Sequence, residues 1–86
     1  MRSAAKWVQP EHHQVVGAAL AAARRKANMT QVDLAALLGK PQSVVSGYEN
    51  GRRRVDVVEF LLIVRTLGAD PVEILTEIAA SSATRR

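Results

Sequence analysis

The sequence contains no cysteine, so neither disulfide bonds nor thiol chemistry is available to it. Its two histidines, His12 and His13, are adjacent, and adjacent residues on a helix point in different directions and make a poor metal pair. No run of about 18 apolar residues occurs, and no signal segment precedes a cleavage site of small residues. We therefore expect a cytoplasmic protein without a metal or a cofactor. No nucleophile, base and orienting group can be nominated together, which argues against an enzyme.

The residues that are present favour a small helical domain with an anionic partner. A chain of 86 residues and 9.3 kDa forms one domain with a small core. Hydrophobic residues make up 48% but aromatic residues only 3%, so Leu, Val, Ile and Ala must fill the core. Lys and Arg number 12 against 8 acidic residues, which suits nucleic acid or a membrane surface. A membrane surface is disfavoured, because no helix combines a basic face with a large unburied apolar face.

The stretch TQVDLAALLGKPQSVVSGYENG, residues 30–51, predicts two short helices joined by a tight turn. Thr30 is a suitable N-cap with Asp33 in the capping-box position, and Gly39 can end the first helix. Proline suits the first turn of a helix, where its missing N–H would have no partner. We therefore expect the second helix to run from about Pro41 to Asn50.

At 100° per residue, the second helix of this pair divides into a polar and an apolar side. The apolar side holds Val44, Val45 and Tyr48 and is expected to dock on the core. The polar stripe suits the edges of DNA bases, because amides and hydroxyls can donate and accept hydrogen bonds there; an ordinary solvated face is the alternative. Cations precede and follow this helix in the sequence and are candidate phosphate contacts. The stripe consists of Gln42, Ser43, Ser46, Gly47 and Asn50, and the cations are Lys40, Arg52, Arg53 and Arg54.

TQVDLAALLG followed by PQSVVSGYENGRR resembles the helix-turn-helix of the lambda-repressor-like, or XRE, family of prokaryotic regulators. The resemblance extends from about Glu11 to Ile78. It implies an all-α, compact five-helix bundle that binds double-stranded DNA, most simply a transcriptional repressor that binds a palindromic operator as a homodimer. It also implies that Gln31 contacts a phosphate and braces Gln42, while Gln42 and Ser43 read bases. Gly47 departs from the family, whose members usually carry a long polar residue at this position.

The two ends of the chain are expected to flank a domain of residues 10–79. Residues 1–9 would form an arm whose Trp7 packs on the bundle, with a dimer contact or the DNA backbone as alternatives. A first helix is predicted from Pro10 to Ala27, and the cations Arg24 to Lys26 would only complement its negative end. Residues 80–86 would form a frayed tail.

Two further helices are predicted after the arginines. The first runs from Val57 to Leu67, and Asp56 with Glu59 has the capping-box spacing at its start. This helix is apolar nearly all round, so we expect it to lie at the centre of the bundle and to carry Phe60, Leu61, Ile63, Val64 and Leu67 into the core. The second, capped by Asp70 with Glu73 in the capping-box position, shows a wide apolar arc. Val72, Leu75 and Ala79 are expected to face the core, while Ile74 and Ile78 would lie on the flank. The resemblance implies dimerisation at this end, so Ile74 and Ile78 are the predicted dimer contacts.

A partner-binding module, such as the antitoxin of a toxin–antitoxin pair, is the alternative function. Val32, Leu37 and Leu62 are apolar where family members usually carry polar residues, which suits a protein interface. Packing at the edge of the core is the other explanation for these three side chains.

Overall fold

The computed structural model describes residues 7–81, 83 and 84; the predictions for the remainder of the arm and of the tail lie outside the described residues. The described chain forms only α-helices, which confirms the predicted fold class. None of these helices is long and apolar enough to span a membrane. They are α1 (Pro10–Lys26), α2 (Gln31–Leu38), α3 (Gln42–Glu49), α4 (Val57–Thr66) and α5 (Pro71–Ala80).

Side chains cap the N-termini of α2 and α4 as predicted. The Thr30 hydroxyl accepts from the Asp33 N–H at 3.0 Å, and the Asp33 carboxylate accepts from the Thr30 N–H at 2.9 Å. These bonds to Thr30 lower the pKa of Asp33, because they stabilise the carboxylate. Asp56 and Glu59 form the same reciprocal box at α4. Gly39 ends α2 with a φ of 67°, a left-handed conformation that suits glycine.

The starts of α3 and α5 differ slightly from the prediction. Pro41 has a ψ of 152° and is the N-cap residue, so α3 begins one residue later than expected, at Gln42. Asp70 caps α5 by accepting from the Val72 N–H at 2.9 Å. A capping box with Glu73 does not form there.

All five helices contribute side chains to a single core, so α2 and α3 are held on the same packed interior as the rest of the chain. Its buried members are Leu20, Ala23, Leu34, Ala35, Val45, Tyr48, Phe60, Ile63, Val64, Leu67 and Ile74.

Two glycines let α1 pass directly against the end of α3. A Cβ atom on Gly17 would lie 2.3 Å from the Tyr48 carbonyl oxygen, so only glycine fits there. A Cβ atom on Gly51 would lie 2.7 Å from Gln14 Cγ, and Gly51 has a φ of 81°. Backbone therefore packs on backbone, and this contact fixes the direction in which α3 leaves the core.

The prediction that α4 carries Phe60, Leu61, Ile63, Val64 and Leu67 into the core is confirmed, but its placement at the centre of the bundle is wrong. Only one face packs inward, through Phe60, Ile63 and Val64. The opposite side is open to solvent, because no other described helix covers it. Its exposed side chains are Val57, Val58 and Leu62.

The predicted orientation of α5 is also wrong, and with it the predicted dimer contacts. Ile74 is only 6% exposed and Ile78 is half-buried, and both pack against the core. Val72 and Leu75 are 67% and 52% exposed instead, and Ala79 is also exposed. Both apolar arcs follow helical spacing, so the packing of α1 and α4 against α5 decides which arc turns inward.

The described parts of the two chain ends correct the expectations made for them. Trp7 does not pack on the bundle; its side chain is 77% exposed. Gln9 donates from its side-chain amide to the Trp7 carbonyl at 3.0 Å as the chain turns into α1, and the ring remains outside. At the other end, Ala80 belongs to α5, and the Thr84 hydroxyl donates to the Ile78 carbonyl at its terminus.

Candidate nucleic-acid interface

The helix α3 is anchored by one face and displays the other. Val45 is 1% exposed and Tyr48 is 6% exposed, so the inward face is fixed in the core. A backbone hydrogen bond closes the turn before it, since the Lys40 N–H donates to the Ala35 carbonyl at 3.0 Å. The opposite face of α3, with Gln42 and Ser43 exposed at its start, is therefore held outward.

A buried ion pair joins α1 to the end of α3. Arg24 Nε lies 2.7 Å from Glu49 Oε2 and Arg24 Nη2 lies 3.0 Å from Glu49 Oε1, which makes a bidentate pair. The two side chains are only 10% and 6% exposed. The hydrogen bond to Glu49 raises the pKa of Arg24, and Arg24 Nη1 also donates to the Met29 carbonyl at 2.8 Å. The expectation that Arg24 only complements the end of α1 is wrong.

The ion pair continues as a chain of hydrogen bonds to the displayed face of α3. Gln31 Nε2 donates to Glu49 Oε1 at 2.9 Å, and Gln42 Nε2 donates to Gln31 Oε1 at 3.2 Å. Because a carboxylate only accepts, Gln31 must donate to Glu49 and present its oxygen to Gln42. Gln42 therefore keeps one N–H and its carbonyl oxygen for an outside group. A donor beside an acceptor is the pair that an adenine edge requires.

The other predicted members of the polar stripe lie along the same face of α3. Ser43 and Asn50 are exposed, and Ser46 and Gly47 are half-buried. Lys40 is exposed at the turn before the helix. The polar stripe and the turn therefore form one continuous displayed edge.

Gly47 has an intramolecular explanation that the sequence did not indicate. A Cβ atom there would lie 3.3 Å from Arg53 Cβ and 3.8 Å from Arg53 Cδ. The Arg53 N–H donates to the Gly47 carbonyl at 3.0 Å. The absence of a side chain at residue 47 thus lets Arg53 lie against α3.

The three arginines after α3 have different surroundings. The Arg53 guanidinium lies over the Tyr48 ring, 5.5 Å from its centroid. The Arg52 N–H and Nε both donate to Asn50 Oδ1, at 3.0 and 3.3 Å. The Arg54 side chain is exposed and makes no hydrogen bond or ion pair within the described part of the chain. Arg54 is thus the one of the three arginines whose side chain has no partner in the described part of the chain.

Tyr48 ties this loop to the next helix. Its hydroxyl donates to Glu59 Oε2 at 2.8 Å, and Glu59 also belongs to the capping box of α4. Burial and this hydrogen bond raise the pKa of Tyr48. The loop between α3 and α4 is therefore fixed at both ends, so its exposed arginines project from a defined position.

The helix-turn-helix family model matches residues 20–74 of the chain. The chain is also 44% identical to an XRE-family like protein from Pseudomonas syringae pv. tomato str. DC3000, with a TM-score of 0.70 over 79% of this chain and 83% of that one. The protein belongs to the XRE family. It is a DNA-binding transcriptional regulator, not an enzyme.

Two other solved structures are similar to this XRE-family regulator. The clp gene regulator ClgR from C. glutamicum is 28% identical, with a TM-score of 0.78 over 86% of this chain and 96% of that one. The restriction-modification controller protein C.AhdI from Aeromonas hydrophila is 30% identical, with a TM-score of 0.66 over 77% of this chain and 98% of that one. No curated protein matches the sequence significantly.

Sequence reasoning missed two residues of the XRE-family site, Arg24 and Glu49, which together support Gln31. The position of Arg24 could have indicated its burial, because it follows Leu20 by one helical turn and so lies on the apolar face of α1. Among the described residues, no group of His, Asp and Glu side chains could hold a metal ion.

Proposed function

We propose that this XRE-family regulator is a repressor that binds a palindromic operator as a homodimer and blocks a promoter in the cytoplasm. The observation that carries the proposal is the hydrogen-bonded brace from Glu49 through Gln31 to the exposed Gln42. A side chain held in one orientation can discriminate between bases, because the partner atoms must meet fixed positions.

The residues proposed for DNA contact fall into two groups. Gln42, Ser43 and Ser46 would face base edges in the major groove, and Gly47 lies on the same side of α3, where the absence of a side chain lets Arg53 lie against the helix. Phosphates would be bound by the remaining polar and cationic side chains around this face, which position the protein without reading sequence. These are Gln31, Lys40, Asn50, Arg52, Arg53 and Arg54.

Selection of bound sequences from a random duplex pool tests this function. We expect an inverted repeat with half-sites about one helical turn apart, as for other two-fold helix-turn-helix dimers. The enriched duplex should outcompete a scrambled one at about 0.15 M salt, where long-range charge attraction is screened. Failure of any sequence to be enriched would reject sequence-specific regulation, and enrichment of a single unrepeated site would reject the palindrome.

The proposed homodimer is supported by exposed apolar side chains on neighbouring helices. Leu62 on α4 is 59% exposed, and Val72 and Leu75 on α5 are also exposed. Because these side chains lie outside the core, Val72→Asp with Leu75→Asp should leave the fold intact and produce monomers by sedimentation. The matched change Val32→Asp on α2 should leave the dimer intact. A wild-type protein that is monomeric both free and on its operator would refute the dimer.

A second candidate function, partner binding by an antitoxin, is favoured by exposed apolar side chains on α2. Val32 and Leu37 are 58% and 61% exposed, so neither packs at the edge of the core. Val32→Gln with Leu37→Gln should release a stoichiometric partner while operator binding remains. Purification from the native host without any such partner would argue against this function.

A further inference from the structure

Three consecutive cations at the end of α1 occupy three different environments. Arg24 is buried against Glu49, whereas Arg25 and Lys26 are both exposed. The favourable effect of positive charge at a helix C-terminus applies to all three alike, so it does not explain these differences.

Arg25 lies beside the displayed face of α3. It lines a crevice between α1 and α3 whose floor is formed by Ala18 and Ala21 and whose far wall includes Ser46 and Asn50. The small alanine side chains leave this crevice open to solvent. Within the described part of the chain, the Arg25 guanidinium makes no hydrogen bond or ion pair.

The carboxylate of Glu49 also lines this crevice, and an isolated carboxylate would repel an anion. Both of its oxygens are occupied, since Arg24 binds them in a bidentate pair and Gln31 donates to one of them. The charge of Glu49 is thereby balanced inside the protein. Arg25 is left as the uncompensated charge at this side of α3.

Lys26, the next residue, faces a different part of the surface. It lines a groove between α1 and α5 together with Glu73 and Glu77. The groove contains none of the proposed DNA-contact residues. Lys26 therefore has the same charge as Arg25 but lies on a side of α1 that faces a groove with acidic residues.

We propose that Arg25 binds a phosphate of the DNA backbone next to the recognition helix, so that the DNA interface extends from the helix-turn-helix onto α1. The inference rests on the proposed function, because it requires α3 to enter the major groove. An arginine fork can bind two phosphate oxygens at once, and Asn50, which lines the same crevice, adds a hydrogen-bonding group beside it.

The test compares Arg25→Gln with Lys26→Gln, which remove equal charge from adjacent exposed positions. Binding to the selected operator and to a scrambled duplex is measured between 50 and 200 mM salt. Arg25→Gln should make the slope of log K against log salt less negative by about one unit on both duplexes, because one phosphate contact is lost. Lys26→Gln should leave the slope unchanged. Arg25→Lys keeps the positive charge and should therefore keep most of the wild-type salt dependence.

Equal slopes for Arg25→Gln and Lys26→Gln would overturn the inference while leaving the proposed function intact, provided that the wild type prefers its operator. If the wild type bound the operator and the scrambled duplex equally well, the proposed function would be rejected instead. The salt slopes measured on the scrambled duplex would still decide whether Arg25 binds phosphate. Thermal unfolding of each variant confirms that the comparison is between folded proteins.

Discussion

The buried pair of Arg24 and Glu49 makes one prediction that separates stability from DNA recognition. Arg24→Met or Glu49→Met alone leaves one uncompensated charge among side chains that are 10% and 6% exposed. Breaking a buried pair in this way costs roughly 3–5 kcal/mol. Because a domain of this size has a total stability of about 5–10 kcal/mol, each single variant should lose a large fraction of it.

The double variant, Arg24→Met with Glu49→Met, should recover most of that loss. Two apolar side chains of similar volume can replace a buried ion pair with little change in the free energy of unfolding. Recognition should not recover, because Gln31 loses the carboxylate that orients it and Gln42 loses its brace. We expect affinity for the operator to fall by about 5- to 150-fold if the contact of Gln42 is lost, since a bidentate amide contact with a base contributes about 1–3 kcal/mol and 1.4 kcal/mol is tenfold.

Urea or thermal unfolding measures the stability of each variant, and competition binding with operator variants measures its discrimination between bases. Each single variant should lower Tm by roughly 12 °C or more, at about 4–8 °C per kcal/mol for a small domain. Gln31→Met is the control, since it interrupts the brace at its half-buried middle while the ion pair remains. A double variant as unstable as the single ones, or one that discriminates between bases like the wild type, would refute this reasoning.

Three further predictions concern the elements around α3. Gly17→Ala should destabilise the protein by about 1–3 kcal/mol, because its Cβ would overlap backbone carbonyls. The Cβ of Gly47→Ala meets only a side chain, so that variant should change stability by less than about 1 kcal/mol. Equal Tm values for the two variants would contradict the close packing at Gly17. Tyr48 is the only tyrosine, so absorbance titration should give its pKa above the ordinary value of about 10. The stability it contributes should be present below that ordinary value and be lost as pH rises through the folded pKa, a loss that Tyr48→Phe should abolish. Arg54→Gln should lower the salt slope of DNA binding by about one unit, and Arg53→Gln should lower it less and reduce Tm more, because Arg53 is held over Tyr48.

Local chemistry made the helix ends and the orientation of α3 predictable from the sequence. Thr30 and Asp56 each cap a helix within four residues of their partners, and Gly39 adopts a left-handed conformation, so no distant residue is needed to interpret them. The inward face of α3 was also predictable, since Val45 and Tyr48 belong to a single apolar arc.

Features that depend on distant residues were not predictable in this way. The partner of Arg24 is 25 residues away, so its burial cannot be inferred from the pattern of α1 alone. On α5, the arc that contains Ile74 and the arc that contains Leu75 both have helical spacing, and the choice between them is made by packing. The contact between Gly47 and Arg53 depends on how the loop folds back, which neither residue indicates by itself.

The central claim is that α3 is the recognition helix and that the braced Gln42 reads a base. The most direct measurement is a complete single-base substitution profile of the selected operator for the wild type and for Gln42→Ala. Gln42→Ala should lose about 1–3 kcal/mol on the operator and lose discrimination at one base pair in each half-site, with the other positions unchanged. A uniform loss at every position, or an unchanged profile, would contradict the claim.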